Sequence, residues 1–173
     1  MDERDGLRVA CVAGPSDAGK TTLIERLVPR LAERGRVGTV KSIHHAIEVD
    51  TPGKDTHRHR EAGAEAVVGI TPELSFEIET GGKREPPAEP AAGWLFEDIP
   101  STAEGRELRA LEGAIARFRR RRYDVVLVEG FTGAPLPTIV VGDRPSIAGP
   151  VIGDGGDDLE VLVDAVWNLE PVG

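Results

Sequence analysis

The residues best suited to chemistry stand together at Gly14-Pro15-Ser16-Asp17-Ala18-Gly19-Lys20-Thr21-Thr22. They match G-x-x-x-x-G-K-[ST] at every fixed position. An apolar run, Leu7 to Ala13, precedes them, and Leu23, Ile24, Leu27, Val28 and Leu31 recur behind them at helical spacing. Strand, glycine loop and helix in that order predict a phosphate-binding loop. The glycines let the backbone curl until successive N–H groups point inward, and the helix adds its positive dipole end. Gly14, Ser16, Asp17, Ala18, Gly19, Lys20, Thr21 and Thr22 are therefore the expected phosphate cradle. Lys20 is expected to reach the β- and γ-phosphates, and Thr21 to set its hydroxyl on Mg²⁺. The expected ligand is a nucleoside triphosphate.

A second group is Glu129, which closes the apolar run Val125 to Val128 and is followed at once by Gly130. An acid at the carboxyl end of a strand beside the loop would lie near the metal and the γ-phosphate. The usual residue is Asp; the longer Glu would act through a metal-bound water or prepare the attacking water. Asp124, at the other end of that run, reads as structural.

The third group is His44 to Arg60, which holds all four histidines (His44, His45, His57, His59) together with Asp50, Lys54, Asp55, Arg58 and Arg60. Its spacings match no zinc signature, and two histidines at i, i+2 on a helix splay apart. The better reading is an anion-recognition or switch segment near the γ-phosphate. There Asp50 or Asp55 would touch Mg²⁺ through water, and side chains such as Lys54 would hold phosphate. A solvated polar loop is the plain alternative. Asp143, after the run ending at Val141, is a weak candidate for accepting from a guanine edge, and no N-K-x-D accompanies it.

Elements must position these groups. At 173 residues, 39% of them hydrophobic and 29% charged, the chain can bury one core. Strands are expected at Leu7–Ala13, Val37–Lys41, Ala66–Ile70, Leu74–Ile78, Tyr123–Gly130, Leu136–Val141 and Val151–Ile152. Helices are expected from Gly19 to Glu33, Asp55 to Ala62, Ala103 to Arg122 and Asp157 to Leu169. Their alternation predicts a single three-layer α/β domain with a mostly parallel sheet. Residues 80–101, rich in Gly and Pro, read as a surface insert with Trp94 and Phe96 pinning its far end. The dense run Arg117, Arg119, Arg120, Arg121 and Arg122 reads as cations at a helix C-terminus, facing away from the nucleotide edge.

A formal net charge of −9 argues against a general nucleic-acid binder. The lone Cys11 excludes an internal disulfide and suits a reducing compartment. The charged start lacks a signal-length apolar run, and nothing approaches a membrane span, so a soluble cytoplasmic protein is expected.

Taken together, Gly14 to Thr22, Lys41-Ser42-Ile43-His44-His45, the block Asp50 to Ala64, Val128-Glu129-Gly130-Phe131 and Pro135-Leu136-Pro137 resemble one family. It is the molybdopterin-guanine dinucleotide biosynthesis protein B family, MobB, within the P-loop NTPases. The D-x-P-G-K-D-[ST] block with its R-x-x-[AG]-G-A continuation is the more specific part. The resemblance implies a homodimer that binds GTP with Mg²⁺, with molybdopterin as a further ligand, and hydrolyses GTP weakly. It also implies a partner, the MobA-type guanylyltransferase that joins GMP to molybdopterin. With the reading of the residues above, this makes Lys20, Glu129 and Asp55 the catalytic candidates. Gly14 to Thr22, Lys54 and Asp143 are the nucleotide-binding candidates, and Thr21, Asp50 and Glu129 the metal candidates. Two positions depart from the pattern: Asp17 stands where a small residue is common, and Thr132 where Lys is common. Two other classes remain open, a small-molecule or nucleotide kinase and a metallochaperone-type GTPase using the histidines. The 80–101 stretch holds one arginine, Arg84, and so makes a poor kinase lid.

Overall fold

The computed structural model describes residues 6–43, 55–62, 66–70, 72, 75–79, 93–143 and 145–172. The chain divides into two compact units, Met1–Ser42 with Glu89–Gly173, and Ile43–Ala88. The join at Ala88 and Glu89 falls within the Gly/Pro-rich stretch, of which residues 80–92 lie outside the described set.

The larger unit is built on five parallel strands: β1 (Arg8–Ala13), β2 (Val37–Lys41), β5 (Val125–Glu129), β6 (Thr138–Val140) and β7 (Val151–Asp154). Their order across the sheet is β2-β5-β1-β6-β7. β1 and β5 are buried at every position, as unbroken apolar runs covered on both faces must be. Three helices cover them: α1 (Lys20–Ala32), α3 (Ala103–Arg120) and α4 (Leu159–Trp167).

Alternation along the strands sorts the core into two halves. Ala10, Val12, Val125, Leu127 and Ile139 pack with Leu23, Leu27 and Leu31 of α1 and Leu162, Val163 and Val166 of α4. Val9, Cys11, Val126 and Val128 pack with Leu111 and Ile115 of α3 and with Phe96. This makes three layers. Each fully buried Leu or Ile contributes roughly 1.5–3 kcal/mol relative to exposure, so the apolar stripe of α1 outweighs its rim of ion pairs. Those pairs, Arg30 to Glu160 at 2.5 Å and Arg34 to Asp164 at 2.7 Å, lie in solvent between α1 and α4.

Local chemistry sets the ends. Thr102 caps α3 by accepting from the amide of Gly105 at 3.3 Å, and Asp158 caps α4 by accepting from Glu160 at 2.9 Å. The arginine run closes α3, with Arg122 left-handed at φ 55°, and it stands at the amino end of β5, away from Glu129. There Asp124 Oδ2 accepts from the amide of Arg36 at 2.6 Å, and the Arg36 guanidinium lies 4.2 Å from the Tyr123 ring centroid. Asp124 is structural, as expected.

A further structural acid was not expected. Glu112 is buried on α3 and accepts from the amides of Gly93, Leu95 and Phe96 at 2.8–3.3 Å. It therefore ties the 93–96 turn to the helix, while Phe96 is buried and Trp94 half-buried beside Arg119.

The second unit contains α2 (Asp55–Glu61) and the antiparallel pair β3 (Ala66–Ile70) and β4 (Ser75–Glu79). These two strands form a two-stranded sheet of their own. Among the described helices none is long and apolar enough to cross a membrane.

Cys11 sits inside β1 with its thiol directed to the Phe131 carbonyl at 3.8 Å, and burial pushes its pKa from 9.0 up to about 11. The fold favours the protonated thiol, so this contribution is complete below about pH 9 and declines as pH rises toward 11. Iodoacetamide at pH 7.5 is expected to leave Cys11 unmodified in the folded protein and to label it fully in urea. Rapid labelling under native conditions would contradict the buried placement.

Candidate functional site

The site lies where the strands of the larger unit end. β1 and β5 pair directly, with Val12 opposite Glu129, and β5 pairs with β2 so that Glu129 stands opposite Lys41. A parallel register puts all three strand ends at one edge. Glu129 and Lys41 share the parity of Leu127 and Val37, which belong to the face covered by α1. The first turn of α1 begins above that same face. Sheet order and side-chain alternation thus bring Thr21, Glu129 and Lys41 together.

Their geometry is close. Thr21 Oγ1 is 3.1 Å from both carboxylate oxygens of Glu129, and its single proton can be donated to one of them at a time. Lys41 Nζ lies 3.2 Å from Glu129 Oε1 and 3.5 Å from Thr21 Oγ1. Glu129 is 8% exposed, whereas the Lys41 side chain is about half exposed at 54%. A nearly buried carboxylate is here balanced by a mobile-stemmed cation entering from solvent.

The loop itself is shaped by two glycines and one aspartate. Gly14 passes so close to β6 that a Cβ would strike the Val141 carbonyl oxygen. Gly19 is left-handed at φ 94° and stands at the N-cap of α1 without a side-chain cap, unlike the starts of α3 and α4. The first-turn amides of α1 are thus not capped from their own N-cap side chain, which suits an anion. Asp17 is exposed and also left-handed, at φ 60°. Lys20 folds back over the loop and donates from Nζ to the carbonyls of Gly14 at 2.9 Å and Pro15 at 2.5 Å. Its ammonium is therefore held at the loop mouth.

Of the residues expected from sequence, Gly14 through Thr22 and Glu129 come together at this edge. Asp143 follows Gly142, whose Cα would carry a Cβ to 3.2 Å from the Cβ of Ala18, so the loop after β6 flanks the phosphate loop. Asp143 is exposed there. Asp50 and Lys54, with His44 and His45, lie outside the described residues, and Asp55 opens α2 in the second unit. Among the described residues no group of three or more His, Cys, Asp or Glu side chains converges on a metal position.

No site role was read from sequence for Lys41, which was quoted only within a motif, nor for the approach of Val141 and Gly142 to the loop. Parity offered a signal for the first: a cation ends β2 two and four positions beyond Thr39 and Val37, on one face. That β2 neighbours β5 could not be read from the order of elements.

The family model for molybdopterin guanine dinucleotide synthesis protein B matches residues 9–91, which contain the phosphate loop and the Asp50–Ala64 block. Over this stretch the chain is similar to the MobB family. The molybdopterin-guanine dinucleotide biosynthesis adapter protein of Haemophilus influenzae is 34% identical over 132 residues, covering 75% of this chain and 60% of its own length. The corresponding adapter protein of Escherichia coli is 32% identical over 136 residues, covering 75% and 65%. The chain thus spans somewhat under two thirds of these MobB relatives. A crystal structure of molybdopterin-guanine biosynthesis protein B aligns over 91% of this chain and 95% of its own, at 27% identity and TM-score 0.58. Bacillus subtilis MobB, at 20% identity and TM-score 0.58, shares the fold.

The two loop glycines should respond differently to substitution. Gly14→Ala forces a Cβ against backbone and is expected to lower stability by about 1–3 kcal/mol, as overpacking does. Gly19→Ala meets no atom within 4 Å, so its loss is confined to left-handed strain of roughly 1–2 kcal/mol. Urea unfolding of both variants measures this; an unperturbed Gly14→Ala would contradict the close approach to β6.

Proposed function

We propose that the chain binds GTP with Mg²⁺ at this strand edge and serves as an adapter in molybdopterin-guanine dinucleotide biosynthesis. In this reading it assists a MobA-type guanylyltransferase that attaches GMP to molybdopterin. The observation that carries it is the juxtaposition of Thr21 and Glu129 beneath the uncapped start of α1, at 3.1 Å, in a chain whose relatives bear the adapter's name.

The donor set suits the metal. Thr21 and Glu129 offer only oxygen, the ligand type that Mg²⁺ selects, and they already hold one cation, the ammonium of Lys41. When bound, Mg²⁺ neutralises charge on the phosphate oxygens. The protein's own part is positioning: loop amides and the α1 start would hold the phosphates, and Lys20 would exchange the Gly14 and Pro15 carbonyls for them. Glu129, nearly buried, would hold the metal with Thr21 and orient the attacking water, supporting slow hydrolysis. Asp143 would complete the base side. A homodimer is the proposed assembly and molybdopterin the proposed second ligand.

Asp17 weighs against tight binding. It places a negative charge at the loop mouth and costs the backbone a left-handed residue that glycine adopts freely. Asp17→Gly is expected to tighten triphosphate binding about tenfold, read by calorimetry; weaker binding would show that Asp17 serves the ligand.

The deciding measurement is a competition titration of GTP against ATP with Mg²⁺ for the unaltered protein and Lys20→Ala. A preference for GTP that falls at least tenfold in Lys20→Ala is expected, because a phosphate-facing cation is lost. A preference for ATP, with phosphate transferred to an acceptor, would replace this reading with a kinase. Copurification with the guanylyltransferase tests the adapter role.

A further inference from the structure

We infer that Lys41 is an internal stand-in for the divalent cation, a positioning residue that occupies the Thr21–Glu129 oxygens and admits metal only when it is displaced. The inference deepens the proposed nucleotide reading by naming how metal entry at that site is controlled.

Four observations carry it. The ammonium touches both oxygen donors, Glu129 at 3.2 Å and Thr21 at 3.5 Å, and so sits at the corner where a cation bridging them would sit. Glu129 is held from below by the sheet: its carbonyl accepts from the amide of Ser42 at 3.0 Å, and Gly130 donates to the Val12 carbonyl at 3.2 Å. The backbone that carries the carboxylate therefore stays fixed at the edge. Lys41, in contrast, has a long stem that is about half exposed, so its head can leave while its backbone stays in β2. Finally, an isolated carboxylate at 8% exposure would be poorly solvated, and a partner cation relieves that cost.

Two consequences follow from the charges. A divalent ion approaching the unliganded site meets an ammonium already bound to its ligands, which both repels it and occupies the oxygens. An arriving polyphosphate offers that ammonium a replacement acceptor, so anion and metal enter together more readily than metal alone. The pair Glu129 and Lys41 thereby also screens the carboxylate from an incoming anion, a task that Lys20, tied to the Gly14 and Pro15 carbonyls, does not perform.

The test uses Mn²⁺ as the probe and no nucleotide. Paramagnetic broadening of the amide signals of Thr21, Thr22 and Gly130 is followed as Mn²⁺ is added to the full chain. Lys41→Met is expected to bring half-maximal broadening at about tenfold lower Mn²⁺ than the unaltered protein, since one competing charge is removed. Lys41→Gln, which keeps a hydrogen-bond donor and loses the charge, should behave like Lys41→Met even if the methionine variant folds poorly. Lys41→Arg should resist Mn²⁺ as the native lysine does, and Lys41→Gln with Glu129→Gln should lose the gained broadening. Equal or higher Mn²⁺ requirements in both neutral variants would overturn the inference. Because nucleotide is absent, failure here is separate from a failure to bind GTP, which would overturn the proposed function instead.

Discussion

The structure depends on the direct parallel pairing of β1 with β5, in the register that sets Val12 opposite Glu129. Both strands are apolar along their length because both faces are covered, and only at their carboxyl ends does the chain leave the core. There β1 becomes the phosphate loop and β5 delivers its single acid. A one-residue slip would turn Glu129 toward α3 and put Val128 beneath Thr21. The two halves of the core, each claiming alternate residues of the same strands, exclude that slip more strongly than any contact at the site could.

The edge built this way gathers charges that would be costly apart. Glu129 is nearly buried, Lys20 is turned onto its own loop, and Lys41 reaches across from β2. Each charge has a partner in the described structure, and each partner is one that an anion or a cation could replace. Thr21, with one proton and two carboxylate oxygens at equal distance, joins the helix to the sheet without committing either group. The site is thus held by rigid elements while its charged heads stay exchangeable. This is the condition under which binding can rearrange a site without rearranging the fold.

Elsewhere polar groups serve the frame. Glu112 uses a buried carboxylate to gather three turn amides, which returns the chain to α3 after the Gly/Pro-rich stretch. Asp124 ties the end of the loop before β2 to the start of β5, at the edge opposite the site. The arginine run stands at that opposite edge too, so its charge adds to helix termination and, through Arg119 over Trp94, to stacking and not to the phosphate region. In the second unit the β3–β4 pair forms a separate sheet in which the Phe76 ring packs over Gly69, where a side chain would clash.

By itself the sequence determined what local rules govern. The strand, glycine loop and helix around Gly14 to Thr22 could be read because periodicity and backbone freedom are properties of neighbouring residues. The same holds for α3 and for the buried runs of β1 and β5, whose bounds shift by only a residue or two. Glu129 was legible because a lone acid ending an apolar run has few other uses. Only the tertiary structure decided that β5 lies between β1 and β2, since strand order is settled by which faces pack and not by chain order. From that insertion comes the meeting of Lys41 with Glu129 and Thr21, residues 88 and 20 positions distant in sequence from Lys41. Glu112, an acid within a helix rich in charges, was equally hidden, because burial belongs to the packed fold and leaves no mark on the residue's own neighbours.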